Sequence, residues 1–210
     1  GGTTDLLVYA DGGIAHTSVI PAGGNNITRD VSAGLRTPGG EAERLKRNFG
    51  CALGRMIADD EEIEVPGVGG HAPRKVARRV VSDIIEPRVE EIFSEARRRI
   101  EEAGLIEQIS AGFVLTGGAV LMEGMVECAE EVLGMPVRLG FPVGVKGIVQ
   151  LVQGPQYATG VGLVRFGAGK LAEARARAEA AERAEPEMRG VAVEQVARRG
   201  GLWTWFKAAF

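Results

Sequence analysis

Three short stretches, two of them glycine-centred, carry the residues best suited to holding a ligand. The chain opens GGTTD, with Gly1, Gly2, Thr3 and Thr4 running into a strand-like segment. Bare glycine backbone lets N–H groups approach an anion, and threonine hydroxyls add hydrogen bonds to phosphate oxygens. The second stretch is EAERLK, where Glu43 and Lys46 lie one helical turn apart on one face. Such a pair suits a ribose hydroxyl or the edge of a base, and equally suits a surface salt bridge. The third is FVLTGGAVLMEGM, where an apolar run ends in Thr116, Gly117 and Gly118 before a helical pattern. A helix start after a tight glycine turn favours anions and close ligand approach, although a plain strand-to-helix turn has the same composition. The G-x(4)-G-K-[ST] and G-x-G-x-x-G spacings are both missing, so neither of those phosphate loops is present.

The elements that must position these residues follow from periodicity. TDLLVYA and IAHTSVI read as strands joined by DGG, a hairpin signal. Ile27, Val31 and Leu35 recur at helical spacing after AGGNNIT. In TPGGEAERLKRNFG, Thr37 can cap a helix that Gly50 ends. EIEVPG reads as a strand within a loop-like stretch over 59–75. From Pro73 to Gly104 the spacing is helical, with Val76, Val80, Ile84, Ile92, Ala96 and Ile100 as a stripe that Ile85, Val89 and Phe93 widen. Pro87 predicts a break, one helix ending near Ile85 and the next starting at the proline. AGFVLTGG reads as a buried strand, AVLMEGMVECAEEVLG as an amphipathic helix closed by Gly134, PVRLGFP as a strand and GPQYATGVGLVRFGAG as a last small-residue helix.

The bulk composition narrows the function class. An apolar fraction of 45% and a mean hydropathy of +0.02 describe a globular protein, and a net charge of -3 argues against a general nucleic-acid binder. Cys51 and Cys128 are far apart in sequence, with no CxxC motif, and read as reduced, buried thiols. No apolar run reaches the ~20 residues of a spanning helix. The chain does not open on Met and begins inside a motif, so a piece of a longer protein is expected. Residues 168–198 are rich in Ala, Glu and Arg and read as a solvated helix or a disordered tether. Beyond it, GGLWTWFKAAF places Leu202, Trp203, Phe206 and Phe210 on one helical face, with Trp205 at its margin and Lys207 on another side. That pattern describes a short interfacial helix over 199–210 that lies on a membrane rather than spanning it. The same aromatics docked back on the body are the competing reading.

The order and spacing of the blocks point further than any one of them. GGTTD and its hairpin, AGGNNIT, AERLK, IIEPRVEEI, VLTGGAVLMEGM, VRLGFPVGVKGI and YATGVGLVRFG resemble, in sequence order, the second half of the FtsA family of bacterial actin homologues, within the actin/hsp70/sugar-kinase ATPase superfamily. The resemblance covers residues 1 to about 167 and resumes at the tail. It implies an α/β fold comprising subdomains 2A and 2B of an actin-like ATPase, followed by a flexible tether and a C-terminal amphipathic helix. Subdomain 2A would comprise residues 1–36 and 86–167, with 2B inserted as 37–85. It implies that Gly1, Gly2, Thr3 and Thr4 line the nucleotide phosphates. Glu43 and Lys46 would contact the adenosine, over a floor of Gly117, Gly118 and Ala119 with Leu121 and Met122 beside it. ATP with Mg2+ is the implied cofactor of the full-length protein. No catalytic base and no metal ligand is assigned here, and ATP hydrolysis is expected to be weak at most and absent from this stretch alone. The implied partners are the C-terminal peptide of FtsZ, with Arg74 and Arg88 as its candidate contacts, further copies in head-to-tail filaments, anionic lipids and later division proteins. The implied location is the cytoplasmic face of the inner membrane at the septum. A pilus-assembly actin homologue, an hsp70-like chaperone and a sugar or acetate kinase are the alternatives on the same fold.

Overall fold

The computed structural model describes residues 1–69, 71–109, 111–146 and 149–181. The chain divides into two compact units, Gly1–Thr159 and Gly160–Phe210.

The first unit opens with strands β1 (Thr4–Ala10) and β2 (Gly13–Ile20), paired antiparallel. Asp11 and Gly12 connect them with φ of 51° and 78°, the left-handed pair that a two-residue hairpin turn demands. Val8 and Ile20 are buried on one face of the hairpin, while Leu7, Tyr9, Ile14 and Val19 are exposed on it. Helix α1 (Gly24–Leu35) buries Ile27, Val31 and Leu35, the spacing read from the sequence. Helix α2 (Gly39–Phe49) follows and ends at Gly50, whose N–H donates to the Lys46 carbonyl. Thr37 is not its cap. The residue before the helix is Pro38, and the buried Thr37 hydroxyl instead donates to the Pro66 carbonyl at 2.7 Å, pinning the start of α2 to a distant loop.

Strand β3 (Glu62–Val65) pairs antiparallel with β4 (Arg74–Ala77), a strand that helical periodicity had concealed within 73–104. The long helix α3 (Arg78–Glu102) then runs unbroken through Pro87. Its buried stripe is Val81, Ile85, Val89, Ile92, Phe93, Ala96 and Ile100, whereas Val80 is 40% exposed and Val76 lies on β4. Pro87 sits on the solvent side, where water can serve the carbonyl of Asp83 that the proline leaves without a donor. Burial of the opposite face on both sides of the proline offsets its cost and holds the helix together. Pro87→Ala should therefore restore one helical hydrogen bond and stabilise the protein by about 1–2 kcal/mol. Urea denaturation checks this, and an unchanged or lowered midpoint would contradict it.

Strand β5 (Phe113–Leu115) pairs in parallel with β6 (Val137–Leu139). It is not the buried strand expected, since Val114 is 52% exposed. Nor does one helix follow directly. A single 3-10 turn at Ala119–Leu121 comes first, Gly124 adopts φ 73°, and only then does helix α4 (Met125–Leu133) begin. Gly134, also left-handed, closes it as expected. One hydrophobic cluster joins α1, α2, β3, α3 and α4 and includes Cys128. Cys51 and Cys128 are buried free thiols. Burial pushes both pKa values up, that of Cys128 to about 12, so both serve as small apolar groups.

Helix α5 covers residues 158–181. It does not stop at the 167/168 change in composition, so the first part of the predicted tether is helical. Its side chains are largely exposed, Leu163, Val164, Phe166 and Leu171 among them. The remainder of the predicted tether and the predicted membrane helix, with Leu202, Trp203, Trp205, Phe206, Lys207 and Phe210, lie outside the described residues.

Candidate functional site

The three stretches meet at the first turn of α1. The N–H of Asn25 donates to the Gly1 carbonyl at 2.8 Å, and the Thr4 hydroxyl donates to the Ala22 carbonyl at 2.8 Å. A Cβ placed on Gly23 would lie 2.8 Å from the Gly1 oxygen and 2.9 Å from that of Thr3, so only glycine permits this approach. At the next residue, a Cβ on Gly24 would lie 3.5 Å from the Cβ of Ala119 and 3.7 Å from Nζ of Lys46. Residues 1–4, Lys46 and Ala119 therefore surround one helix start, although they are spread over more than a hundred positions of the chain.

Lys46 is 7% exposed and its ammonium is fully engaged. Nζ donates to the Gly24 carbonyl at 3.0 Å, the Thr28 hydroxyl at 2.8 Å and a Glu43 carboxylate oxygen at 2.6 Å. The Thr28 hydroxyl in turn donates to Glu43 at 2.5 Å. Lys46 thus locks α2 to the start of α1 and aims Glu43, which stays 42% exposed and free to accept from a ligand. Burial opposes the Glu43 charge, but the Lys46 and Thr28 hydrogen bonds and the positive charges of Lys46 and Arg47 outweigh it and hold the carboxyl below its ordinary 4.5. A lowered folded-state value stabilises the fold above 4.5, and that stabilisation is lost as pH falls through the lower value. Glu43→Gln should accordingly flatten the acid limb of a stability-versus-pH curve measured by urea midpoints. An acid limb of unchanged steepness would count against this pairing.

On the other side, Gly117 has φ 103°, and a Cβ there would meet nothing within 4 Å. Its N–H donates to the Pro155 carbonyl at 3.1 Å, and the Thr116 hydroxyl lies 3.1 Å from both the Pro155 and Gly140 oxygens. The connection after β6 therefore clamps the glycine turn from behind. Gly118 is exposed, Leu121 is 56% exposed, and Met122 packs against the core cluster. Gly2 also faces open space. The arrangement offers bare backbone on two sides of a helix N-terminus, with a positioned carboxylate between them. Such a surface suits phosphate at one end and a nucleoside at the other.

Sequence reasoning missed three members of this arrangement: Gly23, Gly24 and Thr28. AGGNNIT carried the signal, being itself a glycine pair at a helix start with a hydroxyl one turn on.

Arg74 and Arg88 both serve α1. Arg74, exposed at the start of β4, donates to the Leu35 carbonyl at 2.7 Å. Arg88 grips Asp30 with Nε at 2.6 Å and a terminal nitrogen at 3.3 Å, and also pairs with Glu91. It therefore packs α3 onto α1. A groove of about 450 Å³ opens beside it, lined by Ile20, Asn26, Glu91, Arg98 and Arg99. None of the candidate nucleotide residues lines that groove.

The family model for cell division protein FtsA matches residues 1–162. The chain belongs to the FtsA family. It is 45% identical over 170 residues to the cell division protein FtsA of Pseudomonas aeruginosa, across 81% of this chain and 41% of that protein. The chain therefore spans about two-fifths of the length of that FtsA. Among solved structures it is similar to MreB5 of Spiroplasma citri bound to AMPPNP, with a TM-score of 0.60, 16% identity, and 83% and 52% of the two chains covered. It is also similar to a MamK double helical filament, with a TM-score of 0.55, 16% identity, and coverage of 80% and 51%. At such identities these two establish the actin-like ATPase fold alone. Membership in the FtsA family leaves the chaperone, kinase and pilus-assembly alternatives less supported. No helix among the described residues is long and apolar enough to cross a membrane.

Proposed function

We propose that this chain is the nucleotide-binding second half of an actin-like adaptor that holds FtsZ filaments at the cytoplasmic membrane during division and helps recruit later division proteins. The observation that carries the reading is the convergence of residues 1–4, Lys46 with Glu43, and Ala119 on one helix start in a chain of the FtsA family. The residues fit ATP. Backbone N–H groups and threonine hydroxyls at residues 1–4 would receive phosphate oxygens. Glu43 would accept from a ribose hydroxyl, and Gly117, Gly118 and Ala119 would lie under the adenosine; that an actin-like neighbour, MreB5, binds AMPPNP supports nucleotide binding as such. Bound nucleotide would supply a phosphate-bridged clamp between the two halves of an actin-like body. The Mg2+ that accompanies it takes no assigned ligand from this chain.

The division into 2A (1–36 and 86–167) and 2B (37–85) is part of the same proposal. The FtsZ peptide would use the 2B face at exposed Arg74, and Arg88 only by competing with Asp30 and Glu91. Self-association is supported by the filament-forming MamK neighbour, and the head-to-tail arrangement is part of the same proposal. The 199–210 segment would be the membrane foot, weak singly and effective when many copies bind together.

One experiment tests both links of the adaptor. Anionic vesicles are sedimented with FtsZ and with this chain, intact or truncated after Arg199. The intact chain should pellet and carry FtsZ with it, and the truncated chain should leave both in solution. An intact chain that stays in the supernatant would refute the membrane link. A pelleted chain without FtsZ would refute the partner link.

A further inference from the structure

Arg78, the first residue of α3, lies where four segments meet, and all three nitrogens of its guanidinium are in use. Nε donates to the Phe49 carbonyl at the end of α2 at 2.9 Å. One terminal nitrogen donates to the Glu61 carboxylate just before β3 at 2.8 Å, and the other to the Glu123 carboxylate in the loop ahead of α4. The side chain is only 16% exposed, so this is no solvated surface pair. The main chain repeats the connection. The Arg78 N–H donates to the Glu61 carbonyl at 2.8 Å, the Ala52 N–H donates to the Glu123 carbonyl at 2.8 Å, and Cys51 and Glu123 form a parallel bridge. Gly124 lets the two loops lie flush. A Cβ there would meet Cys51 Sγ at 3.1 Å, the Leu53 nitrogen at 3.2 Å and Met56 Sδ at 3.2 Å.

These segments are the far ends of the two candidate nucleotide walls. Helix α2 carries Glu43 and Lys46 and ends at Phe49. The turn that follows Gly117 and Gly118 ends at Met122, one residue before Glu123. The third partner, Glu61, opens the β3–β4 hairpin that carries Arg74. Among the described residues that hairpin is a sheet of only two strands. Two strands are marginal alone, so this one depends on its anchors: buried Ile63 and Val65 beneath, and Arg78 at its base.

We propose that Arg78 couples the nucleotide wall at residues 117–122 to the β3–β4 hairpin, so that occupancy of the one stabilises the other. The proposal rests on the nucleotide reading above and adds its regulation. A ligand that orders the 117–122 turn fixes Glu123, Glu123 fixes Arg78, and Arg78 fixes Glu61 at the base of the hairpin. By linkage, a peptide held on the hairpin raises nucleotide affinity by the same factor.

Hydrogen exchange on the full-length protein, with and without AMPPNP, tests this. In the parent, AMPPNP should slow exchange over residues 62–77 about fivefold, at the low end of ordinary couplings. Glu123→Gln should still bind AMPPNP and slow exchange over 117–122, yet leave 62–77 unchanged. Glu61→Gln should behave alike and serves if the first variant folds poorly, with exchange in α1 reporting an intact fold. A hairpin indifferent to AMPPNP in the parent, or slowed equally in both variants, would overturn the coupling. Failure of the parent to bind AMPPNP at all would overturn the nucleotide reading, and the coupling with it.

Discussion

Gly112→Ala should destabilise the protein by about 3 kcal/mol or more and separate β5 from β6. Two costs add at this position. Gly112 has φ 77°, and a left-handed backbone costs a residue with a Cβ about 1–2 kcal/mol. The new Cβ would also lie 2.2 Å from the Pro136 carbonyl oxygen, a backbone atom that cannot swing away. That same oxygen accepts the Phe113 N–H at 2.9 Å, so relieving the clash breaks a hydrogen bond at the edge of the parallel pair. Overpacking of this kind costs about 1–3 kcal/mol. Gly104→Ala separates the two effects, because Gly104 has φ 69° with nothing within 4 Å of its Cβ position. It should cost only the backbone share. Urea denaturation of both variants reads the difference, and equal losses would show that the approach to Pro136 carries no energy. Strand β5 leads into Thr116 and Gly117, so Gly112→Ala in the full-length protein should also weaken nucleotide binding.

Lys46→Met should cost about 2–3 kcal/mol, although it removes no apolar contact. The ammonium meets three acceptors, and an ammonium has three donors to give them. Removing it leaves the Glu43 carboxylate without its counter-ion and the Gly24 carbonyl without its side-chain donor. A fully buried pair broken in this way loses about 3–5 kcal/mol, and the 42% exposure of Glu43 lowers the figure because water can replace part of the interaction. Lys46→Met combined with Glu43→Gln should recover part of the loss, since no charge is then left unpaired. Lys46→Arg should not substitute, because a planar fork does not match three acceptors arranged around a point. A Lys46→Met protein with the parent's urea midpoint would refute the structural role of this lysine.

The second prediction concerns residues that stood out in the sequence and contacts that did not. EAERLK identified Glu43 and Lys46 as a pair, yet their meaning comes from Gly24 and Thr28, which belong to another helix. A helical period of 3.6 is a local property, so α1 and the stripe of α3 from Ile85 onward were legible, as was the DG turn of β1–β2; the first turn of α3 was read on Val80 where Val81 is the buried residue. Strand β4 was not legible, because Val76 continues a helical spacing and only pairing with β3 makes it a strand. Pro87 was read for its intrinsic cost, and burial of the opposite face of α3 outweighed it. Thr37 was read as a cap, and a carbonyl 29 residues away claimed its hydroxyl instead.

By itself the sequence determined which segments bury a face, where the chain turns, which glycines leave backbone bare, and, through the order of its blocks, the FtsA family. Those properties depend on neighbours within a few residues, or on order along the chain. The tertiary structure alone decided that three distant stretches surround one helix start, and that Arg88 is held by Asp30. It alone decided that Arg78 joins α2, the β3–β4 hairpin and the loop before α4. Each of these depends on where two helices cross, and a crossing is set by the packing of side chains that lie far apart in the chain.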